Sequence, residues 1–131
     1  MRNLLKKLLR QDGHEHVLTP RDESARFDLL YGSLPVGTLW LEDGGEWRYA
    51  YADAFRQQTE VKPLVDFPHL DKQYVSDELW PFFAVRIPSL EQPAVQREIA
   101  ERDLDEHNQV ALLRAFGTTS ISNPFVLKPA W

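Results

Sequence analysis

The chain has 131 residues, of which 43% are hydrophobic and 27% are charged, so it is long enough for one domain with a packed core. A net charge of −5 argues against direct binding to nucleic acid, because nucleic-acid binding requires a basic face. Cysteine is absent, which excludes disulfides and cysteine-based metal sites and favours a cytoplasmic protein.

The first 24 residues predict a short amphipathic helix followed by a polar arm. Apolar residues recur at helical spacing in residues 3–11, where basic residues separate Leu4, Leu5, Leu8 and Leu9. Residues 12–24 are polar and irregular in pattern, and they precede a domain predicted over residues 25–131. We expect the helix to pack on the domain or on a partner, and attachment to a membrane surface is the alternative. No apolar run reaches the length of a membrane span.

Between Ala25 and Tyr51 the hydrophobic period changes to two, which predicts three antiparallel strands. The pair Gly44-Gly45 is typical of a tight hairpin turn between the second and third strands. Alternation places Leu39 and Leu41 on one face of the second strand. The aromatic residues of these strands are expected in the core: Trp40, Trp47, Tyr49 and Tyr51.

The middle of the chain predicts a short helix, an extended segment and then a second short helix. Phe55 is the expected anchor of the first helix, and prolines make Val61–Leu70 an edge strand or an extended segment. The stretch Tyr74–Ser89 concentrates aromatic and aliphatic residues around Pro81. Because proline suits the first position of a helix, Pro81 should begin a helix with Trp80 at its N-cap. Trp80 is then either an ordinary core residue or an aromatic anchor for a partner protein.

Two longer helices and a strand are predicted in the last third of the chain. Pro93 suits the first turn of one helix, with Val95 and Ile99 on its buried face. Asp105 is the expected N-cap of the other helix, and Gly117 the expected C′ residue. The tail predicts a final strand around Phe125–Lys128.

This order of strands, helices and one last strand predicts an α+β fold. The expected sheet is a small antiparallel meander, either open or barrel-like, packed by two to three helices from the C-terminal half.

The residues that usually carry catalysis do not form a recognisable pattern in this sequence. There is no nucleophile elbow, no phosphate-binding glycine loop and no triad spacing, so we predict a protein that is not an enzyme and needs no cofactor. His14 and His16 form a His-x-His pair, but the remaining histidines do not supply the further ligands that a metal site requires. A small-ligand protein with an apolar pocket is the remaining alternative.

Several motifs between Leu34 and Leu127 together resemble a known family. They are Val36-Gly37-Thr38-Leu39, Trp47-Arg48-Tyr49-Ala50-Tyr51, Pro63-Leu64 with Pro68, Tyr74, Pro81-Phe82-Phe83, Arg97 and Ala111-Leu112-Leu113-Arg114-Ala115-Phe116-Gly117. This pattern is similar to the N-terminal subdomain of the HipA-type serine/threonine kinase toxins. One departure is Ala84–Ser89, where the family usually has a Leu-Leu-Pro-Glu-Gly type segment.

In the family the subdomain precedes a kinase core, whereas this chain ends where that core would begin. The resemblance is therefore to the stand-alone form, the HipS antitoxins of HipBST modules. It implies an antitoxin that binds and inhibits a separate HipA-like kinase of the HipT type, alongside a DNA-binding HipB-like protein. It implies neither direct binding to nucleic acid nor binding to a membrane.

The expected mechanism is occlusion of the kinase active site by Trp80 and its neighbours Asp77, Glu78, Pro81 and Arg86. A rigid aromatic side chain provides a large contact area at a small entropic cost. Arg86 or one of the two acidic residues would mimic or displace a nucleotide or metal contact. The alternative is a non-inhibitory module that bridges a kinase toxin and a HipB-like partner.

Overall fold

The computed structural model describes residues 16–130 of the chain, so the helix predicted at residues 3–11 and His14 lie outside the described residues. In chain order the elements are β1 (Ala25–Tyr31), β2 (Leu34–Glu42), β3 (Glu46–Tyr51), α1 (Asp53–Arg56), β4 (Tyr74–Ser76), α2 (Pro81–Ala84), α3 (Pro93–Glu101), α4 (Gln109–Phe116) and β5 (Val126–Pro129).

The strands form one antiparallel sheet in the order β4-β3-β2-β1-β5. The sheet stays open, which confirms the α+β meander and decides between the open and barrel-like forms. Gly44 and Gly45 have positive φ values in the turn between β2 and β3, as the hairpin prediction requires. The strand β4 was not predicted, and Val61–Leu70 is an irregular segment rather than a strand.

The two faces of the sheet differ in what they contact. Phe27, Leu39 and Tyr49 are register partners on the face that packs against the core, and all three are fully buried. Arg26, Trp40 and Arg48 are register partners on the opposite, outer face. The prediction that Trp40 is a core residue is therefore wrong, because the period of two that makes β2 a strand turns Trp40 outward. Its indole nitrogen donates to a carboxylate oxygen of Glu42 at 3.0 Å.

Tyr49 occupies the centre of the aromatic core. Its ring stacks on Phe67 with a centroid separation of 4.2 Å and contacts Phe83 at 5.7 Å. Its hydroxyl is buried against Gly37, where an added Cβ would lie 2.3 Å from the oxygen. That oxygen has no hydrogen-bond partner among residues 16–130. Burial, with a smaller contribution from Tyr51, raises the pKa of Tyr49 above its ordinary value.

The helices α1 and α3 bury the residues that the sequence predicted. Phe55 of α1 is buried, and so are Val95 and Ile99 of α3. Gln92 is the N-cap of α3, and Pro93 follows at its first position. The spacing of apolar residues was therefore sufficient to identify the packed face of α3.

The start of α4 is set by the chain segment that precedes β1. Asn108, rather than Asp105, is the N-cap, and its side chain accepts a hydrogen bond from the Ala111 amide at 3.1 Å. Leu18 forms a parallel bridge with Asn108, and the Gln109 amide donates to the Leu18 carbonyl at 3.0 Å. This pairing holds residues 105–108 out of the helix, which is why the prediction at Asp105 is wrong.

Gly117 ends α4 for a reason other than the one expected. Its φ of −89° lies in the ordinary helical region rather than the left-handed region of a C′ glycine. An added Cβ would lie 2.6 Å from both the carbonyl oxygen and a methyl carbon of Leu113. Glycine is required here because the chain passes so close to the preceding turn.

The outer edge of β5 offers few groups for further strand pairing. The Ala130 amide donates to the Arg26 carbonyl of β1 at 2.8 Å, so alternate amides of β5 point toward β1. The intervening amide of Leu127 donates to the Thr118 carbonyl at 2.8 Å, and Pro129 has no amide hydrogen. The edge is thus protected by a loop and a proline.

Candidate functional site

The helix α2 begins where the sequence predicted. Pro81 is its first residue, and Trp80 is the N-cap with an extended backbone, φ −64° and ψ 149°. Proline forces this extended conformation on the residue before it. The helix has only four residues.

Trp80 lies at the boundary between the core and the surface. Its ring packs edge-on against Phe67, with centroids 5.0 Å apart and an angle of 78° between the planes. Phe67 is fully buried, whereas Trp80 is only partly buried. The core therefore covers most of Trp80 and leaves a smaller part of it accessible, which combines the two alternatives that the sequence left open.

A carboxylate from another segment takes over the capping that Trp80 cannot provide. Tryptophan has no side-chain oxygen for the amides at a helix start. The Phe82 amide instead donates to a carboxylate oxygen of Asp66 at 3.1 Å. This bond fixes the irregular segment before β4 against α2 and places a half-buried negative charge beside Trp80.

The segment that enters α2 is acidic. Asp77 is exposed, Glu78 is half-buried, and the Glu78 amide donates to the Ser76 hydroxyl at 3.1 Å. Pro81 is exposed on the other side of Trp80. Asp66, at the Phe82 amide, adds a third carboxylate near the start of α2. We call Asp66, Asp77, Glu78, Trp80 and Pro81 the Trp80 surface.

The structure gives Arg86 a different place from the one expected of a partner contact. Its side chain is 4% exposed. One terminal nitrogen donates to the carbonyls of Gly117 at 3.0 Å and Thr118 at 3.3 Å, and the other to Asn123 Oδ1 at 3.0 Å and the Phe125 carbonyl at 2.8 Å. Burial lowers the pKa of the guanidinium from its ordinary value. We therefore leave Arg86 out of the Trp80 surface, because its side chain is buried and both terminal nitrogens bond inside the domain.

A series of aromatic rings continues from α2 toward β1. Phe82 contacts Phe125 at a centroid distance of 5.7 Å, and Phe125 contacts Tyr31 at 5.3 Å. The Arg86 guanidinium lies 5.6 Å from the Phe82 centroid, within the range of a cation–π contact. Of these three rings, Phe82 and Phe125 are half-buried and Tyr31 is exposed. The aliphatic side chain of Val85, which follows α2, is also exposed. The sequence could not reveal this series, because its members come from three distant segments.

The outer face of the sheet carries a shallow depression of about 400 Å³. It is lined by Arg26, Thr38, Trp40, Ala50 and Tyr51. Within residues 16–130 no cluster of metal-ligating side chains occurs. Over the same residues no helix is both long enough and apolar enough to cross a membrane.

Comparison with known proteins adds one match. A family model described as the HipA N-terminal domain matches residues 27–121, from the third residue of β1 to beyond α4, and includes the whole Trp80 surface. None of the curated proteins compared with the chain matches it.

Proposed function

The chain belongs to the HipA N-terminal domain family, and from this premise we propose that it is an antitoxin that binds and inhibits a separate HipA-like serine/threonine kinase of the HipT type. It acts by occupying the kinase active-site cleft with the Trp80 surface. It works by binding rather than by catalysis, in the cytoplasm and in a complex that also takes in a HipB-like DNA-binding protein.

The accessible ring of Trp80 is the observation that carries this proposal. Tryptophan is the residue type most enriched among the energetically dominant contacts of protein interfaces. Trp80 is held by Phe67 on one edge and by the proline-fixed backbone of α2, so little conformational freedom remains to be lost on binding. A side chain positioned in this way is suited to enter a cleft.

The charge around Trp80 supports a nucleotide-binding cleft as its target. Kinase clefts hold the phosphates of their nucleotide with cationic side chains and metal ions. Asp77 and Glu78 precede Trp80 closely in the chain, and Asp66 bonds to the Phe82 amide; their carboxylates would take the place of those phosphates. A net charge of −5 on the chain would also speed its association with a basic cleft.

The proposal is tested by mixing the purified protein with a purified HipA-like kinase of the HipT type. We expect a stable complex on size-exclusion chromatography and loss of kinase activity as the protein is added in equimolar amount. If ATP and the Trp80 surface share the cleft, raising the ATP concentration will weaken inhibition. A kinase that stays fully active in the complex would contradict the inhibitory role.

A bridging module is the second candidate, favoured by the outer face of the sheet. Trp40 and the depression beside it leave an aromatic surface on the side opposite the core. In this role the protein would join a kinase to a HipB-like partner without entering the active site. Protection from hydrogen exchange on β2 and α4, with no protection of residues 77–84, would favour bridging over occlusion.

A further inference from the structure

The loop that follows α4 carries an exposed aliphatic side chain at its tip, Ile121. We call residues 117–125 the Ile121 loop. We propose that this loop is a second, uncharged part of the partner-binding surface, and that Ile121 enters an apolar patch beside the cleft of the same kinase. This inference rests on the proposed function and extends it to a surface that the family match does not assign.

The loop is uncharged, in contrast to the rest of the chain. No charged residue occurs between Arg114 and Lys128, although 27% of the chain is charged. Ile121 is fully exposed within this uncharged stretch. The buried parts of protein interfaces are depleted in charged residues. A fully exposed isoleucine without charged neighbours is therefore suited to contact with an uncharged, apolar surface.

The loop is fixed before any partner arrives. Arg86 donates to three of its backbone carbonyls and to the side chain of Asn123. Asn123 Oδ1 also accepts from the Phe125 amide at 3.1 Å, and the Ser120 hydroxyl accepts from the Ser122 amide at 3.1 Å. A loop ordered in advance loses less entropy on binding, so an exposed anchor on it yields more affinity.

The Ile121 loop is continuous with the Trp80 surface. Arg86 follows α2 by two residues and bonds directly to the loop. Phe125, at the end of the loop, contacts Phe82, which lies next to Pro81. One partner can therefore contact both surfaces, with a basic cleft facing the acidic residues around Trp80 and an apolar patch facing Ile121.

The test compares two exposed aliphatic residues at opposite ends of α4. Ile121→Asp changes the loop, and Leu18→Asp changes an exposed residue that pairs with Asn108 at the start of α4. The ends of this eight-residue helix are separated by about 12 Å. Binding of each variant to the purified kinase is measured by titration calorimetry. We expect the Kd of Ile121→Asp to rise by about tenfold or more, and that of Leu18→Asp to stay within about twofold of wild type.

A second variant separates positioning from folding. Asn123→Ala removes an acceptor of Arg86 and should increase hydrogen exchange in residues 118–125 and weaken binding. If the loop acts through Ile121, the double variant Ile121→Asp/Asn123→Ala will bind no more weakly than Ile121→Asp alone. Additive losses would mean that Asn123 acts on the fold as a whole, and would overturn the positioning role.

The outcomes distinguish this inference from the function on which it rests. If wild type binds and inhibits the kinase and Ile121→Asp does so equally well, the inference is overturned and the proposed function stands. Equal losses in Ile121→Asp and Leu18→Asp overturn it as well. If wild type does not bind the kinase, both fall. A wild-type dimer that Ile121→Asp converts to a monomer would assign the loop to self-association and overturn the inference.

Discussion

The hydroxyl of Tyr51 donates a hydrogen bond of 2.6 Å to the backbone carbonyl of Phe67, the residue against whose ring Trp80 packs. The same oxygen accepts from the Leu64 amide at 2.8 Å. Tyr51, at the end of β3, therefore bonds to two backbone groups of the irregular segment between α1 and β4, whose Phe67 supports Trp80.

Removing the hydroxyl of Tyr51 should destabilise the protein, whereas removing the hydroxyl of Tyr49 should not. Tyr51→Phe leaves a buried carbonyl and a buried amide without partners, so we expect a loss of about 1–3 kcal/mol in the free energy of unfolding. Tyr49→Phe removes a buried hydroxyl that is already unpaired among the described residues, so we expect no loss or a gain of up to about 1 kcal/mol. Urea denaturation measures both, and a larger loss for Tyr49→Phe than for Tyr51→Phe would contradict this account.

The same tyrosine predicts how stability changes at high pH. Burial raises the pKa of Tyr51 to about 12, while the hydrogen bond from the Leu64 amide acts in the opposite direction. The ordinary value is 10.0, so between these values the unfolded chain binds fewer protons than the folded one. The free energy of unfolding must then fall as pH rises through this window. The stabilising contribution of Tyr51 is fully present below the lower of the two pKa values. Urea midpoints over the window should fall less steeply for Tyr51→Phe than for wild type, and equal slopes would refute the assignment.

Inhibition should depend on Trp80 and not on Trp40. Both indoles are partly exposed, but Trp80 borders the core beside α2 whereas Trp40 lies on the outer face of the sheet. We expect Trp80→Ala to raise the concentration that half-inhibits the kinase by more than about tenfold, and Trp40→Ala to leave it nearly unchanged. Circular dichroism confirms that each variant is folded. Equal inhibition by wild type and Trp80→Ala would end the occlusion mechanism, and loss only in Trp40→Ala would favour bridging.

The acidic residues before Trp80 should act mainly on the rate of association. The double variant Asp77→Asn/Glu78→Gln removes two charges from the Trp80 surface, and we expect its association rate to fall by about threefold to tenfold at low salt. The control Glu60→Gln/Glu101→Gln makes the same change in net charge at exposed positions elsewhere. Stopped-flow measurements at several salt concentrations separate the two. Identical rates for the two double variants would show that net charge alone matters.

Arg86 should be sensitive even to a replacement that keeps its charge. Lysine cannot reproduce the forked geometry that reaches both Gly117 and Phe125, so Arg86→Lys should cost about 1–3 kcal/mol of stability. The exposed Arg97 of α3 provides the control, and Arg97→Lys should change stability by less than about 0.5 kcal/mol. Hydrogen exchange should increase first in residues 118–125. A variant with wild-type stability would mean that the fork contributes little.

The sequence was sufficient to predict structure where a residue restricts the backbone of its immediate neighbours. Pro81 fixed the start of α2 and the place of Trp80 at its N-cap, because the proline ring restricts the backbone before it. The period of two located the faces of β2 and β3, although Trp40 was expected in the core against its own period. The sheet class followed from the order of the elements.

Long-range contacts decided what the sequence could not. The start of α4 depends on Leu18, which is distant in sequence from Asn108. Arginine is rarely buried, so nothing local predicts that Arg86 bonds to a loop more than thirty residues away. Asp77 and Glu78 could be predicted near Trp80 because they are close to it in sequence. Asp66 could not, because only the fold brings its carboxylate to the Phe82 amide.

The protected edge of β5 has a consequence for how the protein behaves in concentrated solution. Thr118 covers the Leu127 amide only while the Ile121 loop stays in place, and Arg86 keeps it there. Once the loop is released, the edge presents an open hydrogen-bond donor to any neighbouring chain. Loosening the arginine contacts would thus let the protein grow into aggregates strand by strand, with turbidity and thioflavin fluorescence as the signs.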